Sequence, residues 1–99
     1  MFAHCYYVYI VTNPAKTSVY TGVTNDVARR IQEHFDNRGN RSTFAGRYFC
    51  YNRVYVEPFE HIEGAIAREK EIKGWTRAKK DALIEMANPQ WLTLNYAEL

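Results

Sequence analysis

Apolar and polar positions change rhythm several times along this chain, and each change marks an element. Cys5 to Thr12 and Ser18 to Val23 are dense in β-branched and aromatic side chains and predict the arms of a β-hairpin. Asn13-Pro14-Ala15-Lys16-Thr17 between them carries the turn chemistry. Period two puts Tyr7 and Tyr9 on one face of the first strand and Tyr6, Val8 and Ile10 on the other. In the second strand Tyr20 shares a face with Gly22, which has no β-carbon and would let a backbone or ligand approach closely, a plain bulge at the strand-to-helix junction being the alternative. From Asp26 to Asp36 the rhythm becomes helical, with Val27, Ile31 and Phe35 recurring every four residues. Thr24 and Asn25 offer capping oxygens there, and Asp26 places negative charge at the helix N-terminus. Asn37-Arg38-Gly39-Asn40 stops the helix, and Arg41 to Cys50, without a period, reads as a long loop.

A third strand follows over Asn52 to Pro58, with Val54, Val56 and Pro58 on one face and Tyr55 and Glu57 on the other. His61 to Lys73 predicts a helix with Ile62, Ala65, Ile66 and Ile72 as its apolar face, ended by Gly74. Thr76 caps a last helix over Arg77 to Ala87, with Ala78, Ala82 and Met86 turned inward. Asn88-Pro89 breaks the chain, and Trp91, Leu92 and Leu94 are expected to fold back as a clasp. The order β-β-α-β-α-α describes an α/β (α+β) fold, a three-stranded antiparallel sheet flanked by helices, with the 99 residues forming one domain.

Composition adds little to the fold and something to the chemistry. An apolar share of 46%, with eight tyrosines and two tryptophans, argues against disorder. The net charge of +2 does not point to a polyanion, but its distribution is uneven. Between Arg29 and Arg53 the cations are Arg29, Arg30, Arg38, Arg41, Arg47 and Arg53, against Glu33 and Asp36. Arginine suits planar phosphate contacts, and a solvated loop is the plainer alternative. Lys70, Lys73, Arg77, Lys79 and Lys80 form a second basic rim, open to the same two readings. Cys5 and Cys50 fit no CxxC pattern and read as buried thiols in a reducing compartment. A zinc set of His4, Cys5, Cys50 and His61 lacks the spacing of structural sites. With no apolar run of membrane-spanning length and no signal pattern, a soluble cytoplasmic protein without a membrane partner is expected.

One residue breaks the pattern of its own helix. Glu69 falls in the middle of the apolar stripe between Ile66 and Ile72, where a carboxylate is costly unless a cation, a metal or hydrogen bonds satisfy it. An arginine pair and a divalent ion such as Mg²⁺ both meet that need. Arg30 and His34, four apart on the first helix, offer a guanidinium and an imidazole beside the tyrosine-bearing strands.

With these residues on these elements the chain resembles the GIY-YIG nuclease superfamily over nearly its whole length, above all the small stand-alone bacterial members. Tyr7-Val8-Tyr9 stands where the family has Gly-Ile-Tyr, and Tyr20-Thr21-Gly22 where it has Tyr-Ile-Gly. Arg30 lies ten residues after Tyr20, at the family's arginine position, and His34 four further on, where members carry His or Tyr. Glu69 matches the metal-binding glutamate. Tyr7 replaces the leading glycine, Val23 stands where the repair nuclease has a lysine, and Asn88 is the counterpart offered for an asparagine that usually follows the catalytic helix more closely. The resemblance implies hydrolysis of a DNA phosphodiester with one Mg²⁺ (or Mn²⁺) ion on Glu69. It implies Tyr20 activating water, Tyr9 orienting water or phosphate, Arg30 stabilising the phosphate and a phenolate, and His34 donating a hydrogen bond or relaying a proton. Arg29, Arg41, Arg47, Lys73, Lys79 and Lys80 would make weaker contacts to the backbone of branched, flapped or damaged DNA, in a repair or recombination setting. The five site residues should share one concave surface on the sheet. The rivals are a non-catalytic nucleic-acid-binding domain of the same fold and a structural or protein-interaction domain.

Overall fold

In the computed structural model of the chain, residues 5–94 are described. Three strands, β1 (Tyr6–Thr12), β2 (Val19–Thr24) and β3 (Asn52–Phe59), form an antiparallel sheet in the order β2-β1-β3. Four helices accompany it: α1 (Val27–Asp36), α2 (Phe44–Arg47), α3 (Ile62–Lys73) and α4 (Arg77–Ala87). The predicted three-stranded antiparallel α+β architecture is what the chain adopts. The hairpin closes on Asn13, whose side-chain oxygen accepts from the backbone N–H groups of Thr17 and Ser18, both at 2.9 Å.

The central strand β1 is buried from Val8 to Thr12, so both sides of it must be covered. Val8 and Ile10 leave toward a core of Val54, Tyr55, Ala65, Ile72, Ile84 and Trp91. Tyr9 and Val11 leave toward Ala45 and Cys50, with Tyr20, Ile31 and Val56 packed against them. The helices therefore divide: α1 and α2 cover the Tyr9 face, α3 and α4 the Val8 face.

Local departures from the sequence reading have local causes. Val54 and Val56 do not share a face: a bulge between Ile10 and Val11 pairs Ile10 with Tyr55 but Val11 with Arg53, and Val54 becomes the extra residue. The expected loop from Arg41 to Cys50 contains α2, a single turn capped by Thr43, whose hydroxyl accepts from Gly46 N–H at 3.0 Å. The cap of α1 is Asp26 itself, which accepts from Arg29 N–H, while Thr24 accepts from Asp26 N–H. Phe35 stays exposed under the Arg38 guanidinium, 3.8 Å from the ring centroid, and His34 takes the buried place beside it. On α3, Ala65 and Ile72 are buried but Ile66 is exposed. On α4 the buried residue is Ile84, with Leu83 partly buried against the same core, while Ala78, Ala82 and Met86 face water, because the helix docks by the Ile84 side against Trp91 and β3. Trp91 packs down as the clasp requires, whereas Leu92 is exposed. Cys5 is exposed rather than buried, and Arg53 is buried rather than part of a basic surface.

Candidate active site

The register of the hairpin sets Tyr9 directly opposite Gly22. A β-carbon on residue 22 would fall 2.9 Å from Tyr9 Cε1 and closer still to the phenol oxygen. Glycine is thus what lets the Tyr9 ring lie across β2. On the same face α1 presents Arg30 and His34 one turn apart. Tyr9 Oη lies 2.8 Å from His34 Nε2, and Arg30 Nε–H donates to Tyr9 Oη at 3.2 Å. Glu33 holds the other side of the guanidinium, accepting from Arg30 Nη1 at 3.0 Å.

The direction of these bonds follows from protonation. Burial raises the Tyr9 phenol to about 12, only partly offset by Arg30, so its O–H stays on. Burial, helped by the Arg30 charge, lowers His34 to about 4, so the imidazole is neutral near pH 7. Tyr9 accepts from Arg30 and donates to Nε2, which leaves the His34 proton on Nδ1. The Tyr20 ring stands edge-on to His34 with centroids 5.5 Å apart. Tyr20, Arg30 and His34 line a cleft of about 160 Å³ together with Asn37, Thr43 and Phe44.

Glu69 comes from α3, on the Val8 side of the sheet. Its side chain is 20% exposed and pairs with Lys73 Nζ at 3.1 Å. Lys73 Nζ in turn lies 5.3 Å from the Tyr20 ring centroid. The Glu69 charge contributes to raising the Tyr9 pKa, so the carboxylate stands within electrostatic reach of that phenol. Arg68, the neighbour of Glu69, anchors α3 by pairing with Glu57 of β3 at 3.0 Å and with Glu71 at 2.8 Å.

Tyr9, Tyr20, Arg30 and His34 therefore gather on one face, and Glu69 reaches them from the helix of the other face through Lys73 and Tyr20. Two expectations change. Tyr9 is completely buried and does not line the concave surface; its oxygen is spent on His34 and Arg30. The partner of Glu69 is a lysine, not an arginine. Asn88 is occupied elsewhere, with its amide donating to the carbonyls of Val54 and Leu92 and its oxygen accepting from Leu92 N–H, so it secures the chain after α4. Of the basic residues, Lys73 and Lys80 line a second cleft of about 310 Å³ beside Tyr20, and Arg41 and Arg47 a third of about 290 Å³. Arg29 stands exposed near Glu33, at 3.9 Å, and Lys79 lies over the Trp75 ring. Sequence reasoning passed over Phe44 and Thr43, which a single four-residue turn hides from any periodicity, and over the Glu69–Lys73 pairing, which their i,i+4 spacing did signal.

The site offers an ion few protein donors. Among the described residues no three His, Cys, Asp or Glu side chains cluster as metal ligands. Cys5 is exposed and Cys50 is a buried thiol raised to about 11, while His4 lies outside the described residues, so a zinc set finds no support. A lone Glu69 carboxylate fits a hard divalent cation that keeps most of its water and takes further oxygens from a phosphate.

The sheet order, the paired tyrosines and the arginine and histidine of α1 define a catalytic domain of the GIY-YIG class. Residues 5–81 match the family model described as the GIY-YIG catalytic domain, and the chain belongs to that family. Proteins named UPF0213 in both archaea and bacteria are among its relatives. A UPF0213 protein of Haloquadratum walsbyi is 41% identical over 80 residues, spanning 81% of this chain and 86% of its own length. One from Bacillus pumilus is 36% identical over 85 residues, spanning 86% and 84%. The solution NMR structure of the UPF0213 protein BH0048 from Bacillus halodurans is similar with a TM-score of 0.56 at 31% identity, over 88% of this chain and 89% of that one. Among the described residues no helix is long and apolar enough to cross a membrane.

Proposed function

We propose that this protein is a divalent-metal-dependent endonuclease that hydrolyses phosphodiester bonds in DNA, selecting branched, flapped or damaged substrates by backbone shape in a repair or recombination setting. The observation that carries the reading is the Arg30–Tyr9–His34 hydrogen-bond chain set beneath Tyr20, with the Glu69 carboxylate in electrostatic reach. A single Mg²⁺ or Mn²⁺ on Glu69 would supply Lewis-acid polarisation of a phosphoryl oxygen. The chain's own groups do the rest. Tyr20 forms a wall of the cleft, and in this reading its phenolate, favoured by neighbouring cations, would take a proton from an attacking water. Tyr9, protonated and buried, holds Arg30 and His34 in register instead of acting as a base. Arg30, fixed by Tyr9 and Glu33, presents a permanent positive charge to the phosphate. Neutral His34 keeps Nδ1–H as a hydrogen-bond donor.

A nicking assay in Mg²⁺ and in Mn²⁺ tests this reading. Tyr20→Phe and Glu69→Ala are expected to slow cleavage by roughly 100-fold or more, the scale of a lost acid–base or charge-stabilising group. Equal cutting by both variants and the wild type would sink it. A panel of flap, nicked and bubble duplexes then reads the substrate preference. One observation favours a second reading, a binding domain without cleavage: Lys73 already neutralises Glu69 at 3.1 Å. Salt-sensitive DNA binding with no cutting in either metal is the outcome that selects it.

A further inference from the structure

Three clefts meet at one side chain. Phe44 borders the Tyr20–Arg30–His34 cleft, the lysine cleft with Lys73 and Lys80, and the arginine cleft with Arg41 and Arg47. Its ring is half exposed, although it is the first residue of a helix. It is not free to swing. Tyr20 stacks beside it at 6.3 Å and 27°, and Tyr48 tilts against it at 4.7 Å. The turn that carries it is tightly held: Gly39 N–H donates to Gly46 O and Cys50 N–H to Ala45 O, both at 2.8 Å. Gly46 packs so closely that a β-carbon there would lie 2.7 Å from Thr43 Oγ1. An exposed apolar ring on a rigid support, with cations to either side, is poorly explained by packing alone. It matches the stacking platform of a protein that binds unpaired nucleotides, where aromatic faces take bases and flanking cations take phosphates.

The geometry points to a base-stacking subsite on Phe44 for one unpaired nucleotide of the bound DNA strand. The phosphates before and after it lie along the Lys73–Lys80 and Arg41–Arg47 clefts. The strand then crosses the Tyr20–His34 cleft in an unstacked state, and this makes locally unpaired DNA the preferred ligand. The inference rests on the reading of the site as a DNA site, and it does not need cleavage.

Binding measured by fluorescence anisotropy in EDTA separates the two. The probes are a short oligothymidylate, an abasic oligomer of the same length and charge, and a paired duplex. Wild type should bind the base-bearing strand roughly 5- to 150-fold more tightly than the abasic one, the range of a base–aromatic stack. Phe44→Ala should abolish that difference and weaken binding of the base-bearing strand more than binding of the duplex. Phe44→Leu, which keeps the apolar contact to Tyr48 but loses the π face, should behave like Phe44→Ala and guards against misfolding. Lys80→Met should lower the slope of log affinity against log salt by about 0.7 on both strands, because it removes a phosphate contact and not a base contact. The subsite is overturned by an undiminished base preference in both Phe44 variants, by equal loss on duplex and single strand, or by no wild-type binding to any probe. Base-dependent binding without nicking in Mg²⁺ or Mn²⁺ would leave the subsite standing and remove the nuclease reading.

Discussion

Val8 and Ile10 leave β1 toward α3 and α4, where they meet Ala65, Ile72 and Ile84; Tyr9 leaves it on the opposite side and meets His34 and Arg30. All three β1 side chains are fully buried. The first environment asks only for apolar volume and shape, and dispersion and water exclusion are shared over many atoms. The second depends on three polar groups that satisfy one another, Tyr9 and His34 buried and Arg30 partly open to the cleft. One face can therefore lose stability without losing its chemistry, and the other loses its chemistry when a single bond direction changes.

The largest test of this contrast lies on the apolar face. Ile84→Ala removes a fully buried side chain of α4 and should cost about 2–5 kcal/mol in urea unfolding. DNA cleavage per folded molecule should stay at the wild-type value, because the core that holds Ile84 contains none of the site groups. A rate loss of the Tyr20→Phe kind in folded Ile84→Ala would show that the two faces are coupled and the contrast is false.

The same contrast decides what could be read before the structure. Alternation in Tyr6–Thr12 placed Tyr9 on the face away from Val8 and Ile10, because a slip of one residue would turn the Tyr9 phenol into the apolar core and Val8 and Ile10 onto the polar face. The spacing of Arg30 and His34 put both on one side of α1 by helix geometry alone. The bulge at Val54 could not be read, since Val54-Tyr55-Val56 alternates as well with a bulge as without it. The inward face of α4 was missed because Ala82, Leu83, Ile84, Met86 and Ala87 leave little polar contrast to choose by, and docking against Trp91 and β3 makes the choice. α2 is too short for any period, and its only sequence mark was the Thr43 cap. The burial of Tyr9 beneath the cleft depended on the ring crossing Gly22, which strand alternation does not describe.

On the polar face, acid is the sharpest probe. His34 titrates at 6.5 in the unfolded chain and at about 4 when folded, because burial and Arg30 disfavour its charge. Between those pH values the unfolded state holds the extra proton, so stability falls as pH drops from 6.5 and the loss is complete below about 4. The His34 share approaches about 3–4 kcal/mol at roughly 1.4 kcal/mol per unit. Urea midpoints of wild type and His34→Gln across this window should converge toward acid, with the variant showing the shallower slope. Parallel slopes would mean the imidazole is not held neutral by its surroundings.

Gly22→Ala should cost less, about 1–3 kcal/mol for one overpacked methyl, yet act on the site. The new β-carbon meets the Tyr9 phenol, which must move and disturb its bonds to His34 and Arg30. Cleavage should fall further than the stability change alone explains. An unchanged rate with an unchanged Tyr9–His34 contact in the variant's structure would show the crossing to be incidental.

The smallest effect concerns Glu69, the residue that joins the two faces. Its helix packs on the apolar side while its charge is felt by Tyr9, and Lys73 spans the gap between Glu69 and the Tyr20 ring. The Lys73 ammonium occupies the carboxylate that a metal would use. A partly exposed pair of this kind contributes roughly 0.2–1 kcal/mol. Lys73→Met should therefore tighten Mn²⁺ binding, read by electron paramagnetic resonance without DNA, by roughly 1.4- to 5-fold. The same substitution should weaken oligonucleotide binding in EDTA, since the ammonium lines the lysine cleft. Opposite signs for metal and DNA are the signature of one cation serving both. If Mn²⁺ affinity fell together with DNA affinity, Lys73 would be organising Glu69 for the ion instead of competing with it, and the apolar-face helix would belong to the site more closely than its packing suggests.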